Sequence, residues 1–171
     1  EAIDSINFLA GFKVVMKFKE KFYPDMIQCD TGYGARYGEK SYYDIAFGKD
    51  SPTNILGFLC AGEEAQKYYA MDSKEEIIQT LIAELDQMFD GKASENFTGD
   101  YRLENWGQHQ FTHGTWVVIP YEKSSYLKKI AEPLDKRVYF AGAILDPYKQ
   151  MGAPGSMLSG YYFVDKLLTE G

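Results

Sequence analysis

Cysteine is scarce: Cys29 and Cys60 are the only two in 171 residues. Two isolated thiols build neither a disulfide framework nor a metal site, so no metal and a reducing, cytoplasmic setting are expected. Histidine is equally scarce. His109 and His113 stand four apart, but Thr112, Gly114 and Thr115 disfavour the helix that would turn both rings toward one ion. No apolar run approaches the ~20 residues of a bilayer span, and no signal-peptide pattern is visible. Positive charge is short as well, with 18 Lys and Arg against 25 Asp and Glu and a net charge of −7. That argues against nucleic acid or an anionic membrane as the main partner. Neither a G-x-S-x-G elbow nor a Walker-type phosphate loop occurs, so hydrolase and nucleotide-triphosphatase readings have no support. The G-x-G-x-x-G turn of dinucleotide-binding folds is missing too.

Aromatic residues, by contrast, are abundant, with 14 Tyr and 11 Phe. They imply either a large packed interior or an aromatic-lined cavity. The length is that of one domain, which buries roughly 70% of its unfolded surface on folding. Along KVVMKF (13–18), Val14, Met16 and Phe18 share one face while Lys13, Val15 and Lys17 share the other, the period of a strand. YYDIAFG (42–48) alternates likewise through Tyr43, Ile45 and Phe47. NILGFLCAG (54–62) is apolar on both faces and reads as a central, doubly covered strand with Cys60 as a buried small hydrophobe. Ser73 and Glu76 form a capping box, and Ile77, Ile78, Leu81, Ile82, Leu85, Met88 and Phe89 then recur at helical spacing up to Gly91. Residues 91–100 read as polar turns. YRLENW (101–106), the run after Gly114 and RVYFAG (137–142) read as strands, with a polar stretch over 120–130. The expected class is α+β: a mixed, mainly antiparallel sheet with a long amphipathic helix on it and a C-terminal strand–loop–helix.

Two places invite chemistry. Lys13 is a cation on a strand face: it serves as a solvated residue that protects an edge, or as a base or water-holder if a dry pocket lowers its pKa. The stretch from FAG (140–142) to GAPGSMLSG (152–160) has small residues at a strand end and glycines opening a helix, whose free N–H groups and partial positive charge suit a polarised ring or a phosphate. The competing reading is a tight loop and a docking helix with Met157, Leu158, Tyr161, Val164 and Leu168 as core. Asn96-Phe97-Thr98 matches a glycosylation sequon, which matters only in a secreted protein.

The chain resembles the C-terminal part of the flavin-containing amine oxidases, the superfamily of monoamine oxidases, polyamine oxidases and flavin-dependent histone demethylases. Four stretches carry the likeness in order: GFKVVMKF with FY three residues on, GFLCAGEEA with the helix at 73–90, ENWGQHQFTHGTW, and AEPLDKRVYFAG through GAPGSMLSGYYFVDKLL. The resemblance implies that Lys13 holds a water near flavin N5, that Trp106 packs on the flavin, and that Trp116 forms one wall of the cage where a substrate amine sits. It also implies that Gly142, Ala143, Gly152, Ala153 and Gly155 lie in the loops approaching the cofactor. The cofactor implied is FAD, and the substrate a small amine or an apolar molecule.

Three departures qualify this. The family usually has an acidic residue after FAG, where Ala143 stands, and an aromatic second cage residue, where Gly152 stands. The third is the absent G-x-G-x-x-G unit, which implies an N-terminal flavin-binding half outside residues 1–171. The first residue is Glu rather than Met, in keeping with a trimmed piece. On this reading residues 1–120 are a substrate-binding-type region and 121–171 return to the flavin domain. Two functions follow: part of an FAD-dependent oxidase of C–N or similar bonds, or a non-catalytic stand-alone domain that has lost the cofactor and self-associates into a homo-oligomer.

Overall fold

The computed structural model describes residues 7–29, 40–112, 114–118, 124–135, 137–145 and 152–170. The chain forms two compact units, Phe8–Trp116 and Glu1–Asn7 with Val117–Gly171. The fold is α+β. Its strands are β1 (Asn7–Leu9), β2 (Gly11–Phe18), β3 (Met26–Cys29), β4 (Lys40–Asp44), β5 (Asn54–Ala61), β6 (Phe97–Asn105) and β7 (Trp116–Val118). Its helices are α1 (Glu63–Tyr69), α2 (Lys74–Met88), α3 (Lys92–Asn96), α4 (Ser124–Ala131) and α5 (Gly152–Glu170).

In the first unit an antiparallel five-stranded sheet runs in the order β3-β4-β5-β2-β6. Its core follows from the period-2 pattern of β2. Phe12, Val14 and Met16 are fully buried, Phe18 nearly so, while Lys13 and Lys17 are exposed. Across the ladder Phe12, Val14 and Met16 face Cys60, Phe58 and Leu56, which are also fully buried. Residues directly opposite on one face pack against each other, so both strands turn the same side to the helices. That side meets the stripe Ile77, Ile78, Leu81, Ile82 and Leu85 of α2, together with Ala65 and Tyr68 of α1. Phe12 stacks on Tyr68 at 5.4 Å and meets Phe58 edge-on at 6.3 Å. Each such side chain stabilises the unit by roughly 1.5–3 kcal/mol through burial. Burial also pushes the Cys60 thiol up to about 12 and leaves it a weak nucleophile.

The box at the start of α2 forms in an altered way. Ser73 Oγ accepts the Glu76 N–H at 3.1 Å, but the Glu76 carboxylate reaches past the cap to the Asp72 N–H at 2.9 Å. Gly91, with φ of 82°, ends the segment in the left-handed region that glycine tolerates.

Several elements differ from expectation. β5 is central and buried along its helix side; on the other side Gly57 and Ala61 are buried while Ile55 and Leu59 are half-buried. β4 stops at Asp44 because the Asp44 carboxylate accepts the Ala46 N–H at 2.9 Å and turns the chain. Phe47 is consequently 67% exposed. α1 and α3 are additional helices, β6 begins earlier at Phe97, and α4 occupies part of the polar 120–130 stretch.

In the second unit the strand expected at 137–142 does not form. A single bridge, Leu134 to Val138, stands there. An apolar alternation becomes a strand only where another strand supplies hydrogen-bond partners, and the described residues provide no ladder. A 3-10 turn follows at Ala143–Leu145. α5 begins at Gly152 itself, so GAPGS is its first turn rather than a preceding loop. Pro154 fits there because first-turn N–H groups have no intrahelical acceptor. The docking-helix core differs from that list: Met157, Tyr161, Val164 and Leu168 are 56–78% exposed, Leu158 is half-buried, and Ser159 and Phe163 are buried. Among the described residues no helix is long and apolar enough to cross a membrane.

Candidate functional site

The side of the first unit's sheet turned away from α1 and α2 carries Lys13, exposed, between Leu59 of β5 and Glu104 of β6. Its ammonium lies 5.8 Å above the ring centroid of Tyr43. That ring lies against Gly57: a Cβ added there would come within 2.6 Å of the ring and 2.9 Å of Ile45. Val15, Ile55 and Leu59 are half-buried on this face. The result is an apolar aromatic floor with a cation above it, an arrangement that suits an organic molecule with a charged end. Tyr43 was read only as a strand residue. The available signal was a glycine inside an apolar strand, which marks a close approach of other atoms to the backbone.

At the start of β2 two of the sequence stretches, GFKVVMKF and ENWGQHQFTHGTW, meet around Gly11. The Trp106 N–H donates to the Gly11 carbonyl at 3.1 Å, and the half-buried indole lies 5.8 Å from the His109 ring. The Thr115 N–H donates to the Leu9 carbonyl at 3.0 Å. A Cβ at Gly11 would collide with the Thr115 side chain, and one at Gly114 would come within 2.4 Å of Phe8. Closely fitted glycines thus set the path of the Gly-Thr-Trp stretch against the strand that carries Lys13. The Trp116 backbone lies in β7; its side chain and His113 lie outside the described residues. Tyr69 also reaches this point, its hydroxyl bonding to Gly11 and Gly107. Burial pushes its pKa up, only partly offset by those backbone bonds.

In the second unit the structure brings the Gly142 turn to α5. The Gly142 N–H donates to Ser159 Oγ at 2.8 Å, and that fully buried hydroxyl donates to the Ser156 carbonyl at 2.9 Å. The Gly142 carbonyl accepts the Leu145 N–H at 2.9 Å, closing the turn that contains Ala143. Gly152 and Ala153 are exposed at the start of α5, and Gly155 is buried. A Cβ at Gly142 would meet nothing within 4 Å, and one at Gly152 only Pro154 at 4.0 Å. Among the described residues, both glycines therefore border open space, and the first-turn N–H groups of a 19-residue helix, which have no intrahelical acceptor, stand beside Gly152. Small residues, accessible backbone and a helix N-terminus fit the edge of a planar heteroaromatic ring. Lys13 and Trp106 belong to the first unit, and Gly142, Ala143, Gly152, Ala153 and Gly155 to the second.

A model of the family described as flavin containing amine oxidoreductase matches residues 1–168. No curated protein matches the chain. Among solved structures, a cyclohexylamine oxidase from Brevibacterium oxydans IH-35A superposes with a TM-score of 0.74 at 14% identity, over 96% of this chain and 36% of that protein. A putrescine oxidase from a redesign of cofactor binding superposes with a TM-score of 0.77 at 16% identity, over 99% of this chain and 37% of its own. Wild-type putrescine oxidase bound to putrescine gives 0.71 at 16% identity, over 94% and 36%. At these identities the likeness is one of fold. The chain spans little more than a third of each.

Proposed function

The chain belongs to the flavin containing amine oxidoreductase family, and from that premise we propose that residues 1–171 are one part of an FAD-dependent enzyme that oxidises C–N or similar bonds. Residues 1–120 serve as the substrate-binding-type region, and 121–171 as the closing segment of the flavin-binding domain. FAD, when bound, accepts the hydride removed from the substrate carbon beside nitrogen. Lys13 holds a water molecule near the reacting centre with its ammonium. Trp106 packs on the cofactor, and Trp116 forms a wall against which a substrate ammonium is held. Gly142, Ala143, Gly152, Ala153 and Gly155 offer accessible backbone along the cofactor edge, and the first N–H groups of α5 supply positive potential there. An adjoining N-terminal half of the protein completes the site, and a cytoplasmic setting suits the buried, unpaired Cys60.

The observation that carries this reading is the convergence on Gly11 of the Lys13 strand, the Trp106 N–H and the Gly114–Thr115 stretch. It gathers, at one end of one sheet, the residues through which a ring cofactor and an amine would be met. The test is to express the chain joined to its upstream sequence and record the visible spectrum. Flavin absorbance that bleaches when small amines are added without oxygen is expected; a colourless protein refutes the reading.

A second reading applies to the chain in isolation. Met157, Tyr161, Val164 and Leu168 leave a large apolar face of α5 in solvent, and such faces favour burial by a partner. The isolated chain then self-associates without cofactor. Light scattering and calorimetric titration with FAD test this: a monomer that binds FAD at micromolar concentration overturns it.

A further inference from the structure

Tyr69 is the last residue of α1, a helix absent from the sequence pattern, and it lies half-buried. A tyrosine hydroxyl has one proton to give and two lone pairs to receive with. Here all three are used. The Gly11 N–H donates to it at 2.8 Å, the Gly107 N–H donates at 3.1 Å, and it donates to the Gly11 carbonyl at 2.6 Å. The same Gly11 carbonyl accepts the Trp106 N–H at 3.1 Å. One side chain therefore closes a circuit through the start of β2 and the segment just after β6. The fit is close: a Cβ at Gly107 would come within 2.5 Å of the Tyr69 hydroxyl and 2.7 Å of its ring. The Phe12 ring, 6.3 Å away, supports the Tyr69 ring from the core side.

We propose that Tyr69 is a positioning residue, whose hydroxyl sets the spacing between Trp106 and the strand that carries Lys13. Its catalytic consequence rests on the flavin reading above; its structural consequence does not. Without the hydroxyl, Gly11 and Gly107 lose a shared anchor, and the segment beyond Asn105 is held to β2 by the Trp106–Gly11 bond at the end of the ladder that pairs Phe12 with Asn105. The ring stays, because phenylalanine fills the same volume, so the core packing against Phe12 is kept.

The test is Tyr69→Phe, read in two ways. In the 171-residue chain, hydrogen exchange followed by NMR is expected to speed up about tenfold at the Gly11 and Gly107 amides, with the Val14 and Phe58 amides of the β2–β5 ladder unchanged. Unchanged exchange at Gly11 and Gly107, or an equal rise in the ladder, overturns the proposal. In the protein joined to its upstream half, the variant is expected to shift the flavin absorption band and lower the rate of flavin reduction about tenfold, with KM kept. An unshifted band and rate overturn the positioning role. Should the wild-type protein hold no flavin, the functional reading fails, while the exchange experiment still judges the spacing.

Discussion

Among the described residues, the unit from Phe8 to Trp116 buries most of its large apolar side chains, with Phe47 and Phe111 among the exceptions, whereas the unit that ends in α5 leaves about half of its large ones exposed. In the first, Phe12, Val14, Met16, Leu56 and Phe58 are fully buried and α2 contributes a continuous stripe to the same cluster. In the second, Phe163 and Leu145 are buried, while Tyr161 is 72% and Leu168 is 78% exposed. Burial energy scales with apolar area removed from water, so the core of the first unit contributes more stability than the described residues of the second. A sequence can thus carry the same density of hydrophobic residues in two places and mean different things by it.

That contrast can be broken at its strong side. Phe58→Ala should cost about 3–5 kcal/mol, the cost of an unfilled aromatic volume in a rigid core, measured by urea unfolding; a loss below about 1 kcal/mol would show a loosely packed first unit. Next in size is Glu84→Ala. Lys40, only 8% exposed, pairs with the Glu84 carboxylate, which also accepts the Tyr42 hydroxyl at 2.6 Å. Removing the anion strands a buried cation, and a loss of about 2–3 kcal/mol is expected in the same assay.

A smaller effect reads as a pH slope. Burial pushes the Asp44 carboxyl up, but the Lys21 ammonium at 2.7 Å and the Ala46 N–H outweigh it and hold the pKa below its ordinary 3.8. A depressed native pKa contributes stability that is complete above the unfolded value and fades as pH falls through the native one. Unfolding midpoints taken downward from pH 5 should therefore drop, and Asp44→Asn should flatten that drop. Smallest of all, Leu168→Ser should leave the unfolding free energy within about 0.5 kcal/mol, because nothing is uncovered by the change. It should, however, lower the apparent mass in light scattering. A large destabilisation instead would mean that α5 is already covered, and the contrast between the units would fall.

What could be read from the chain alone was whatever is local. The alternation of β2, the Ser73 cap and the apolar stripe of α2 follow from spacing along a single element, and they stand as expected. α1 and α3 are short, and short helices draw their stability from tertiary packing rather than from their own residues. The end of β4 depends on one carboxylate turning back on its own backbone. RVYFAG has strand-like alternation with no strand beside it among the described residues, and pattern alone says nothing about partners. The site shows the same division. Lys13 and the small-residue stretch of 140–160 are legible in the residues themselves and Trp106 and Trp116 in motif likeness, whereas Tyr43 and Tyr69 act on residues far along the chain, Gly57 and Gly107. Those glycines were the visible trace, but a glycine does not name the ring that needs its space.

The seat of Tyr43 against Gly57 has a consequence for how such a surface diversifies. One missing methyl sinks the phenol into the sheet by about the thickness of a carbon atom. Restoring it, as Gly57→Ala would, must raise the aromatic plane and the ammonium above it together. The height of this face beside Lys13 is thus tuned from beneath, by a residue with no side chain of its own.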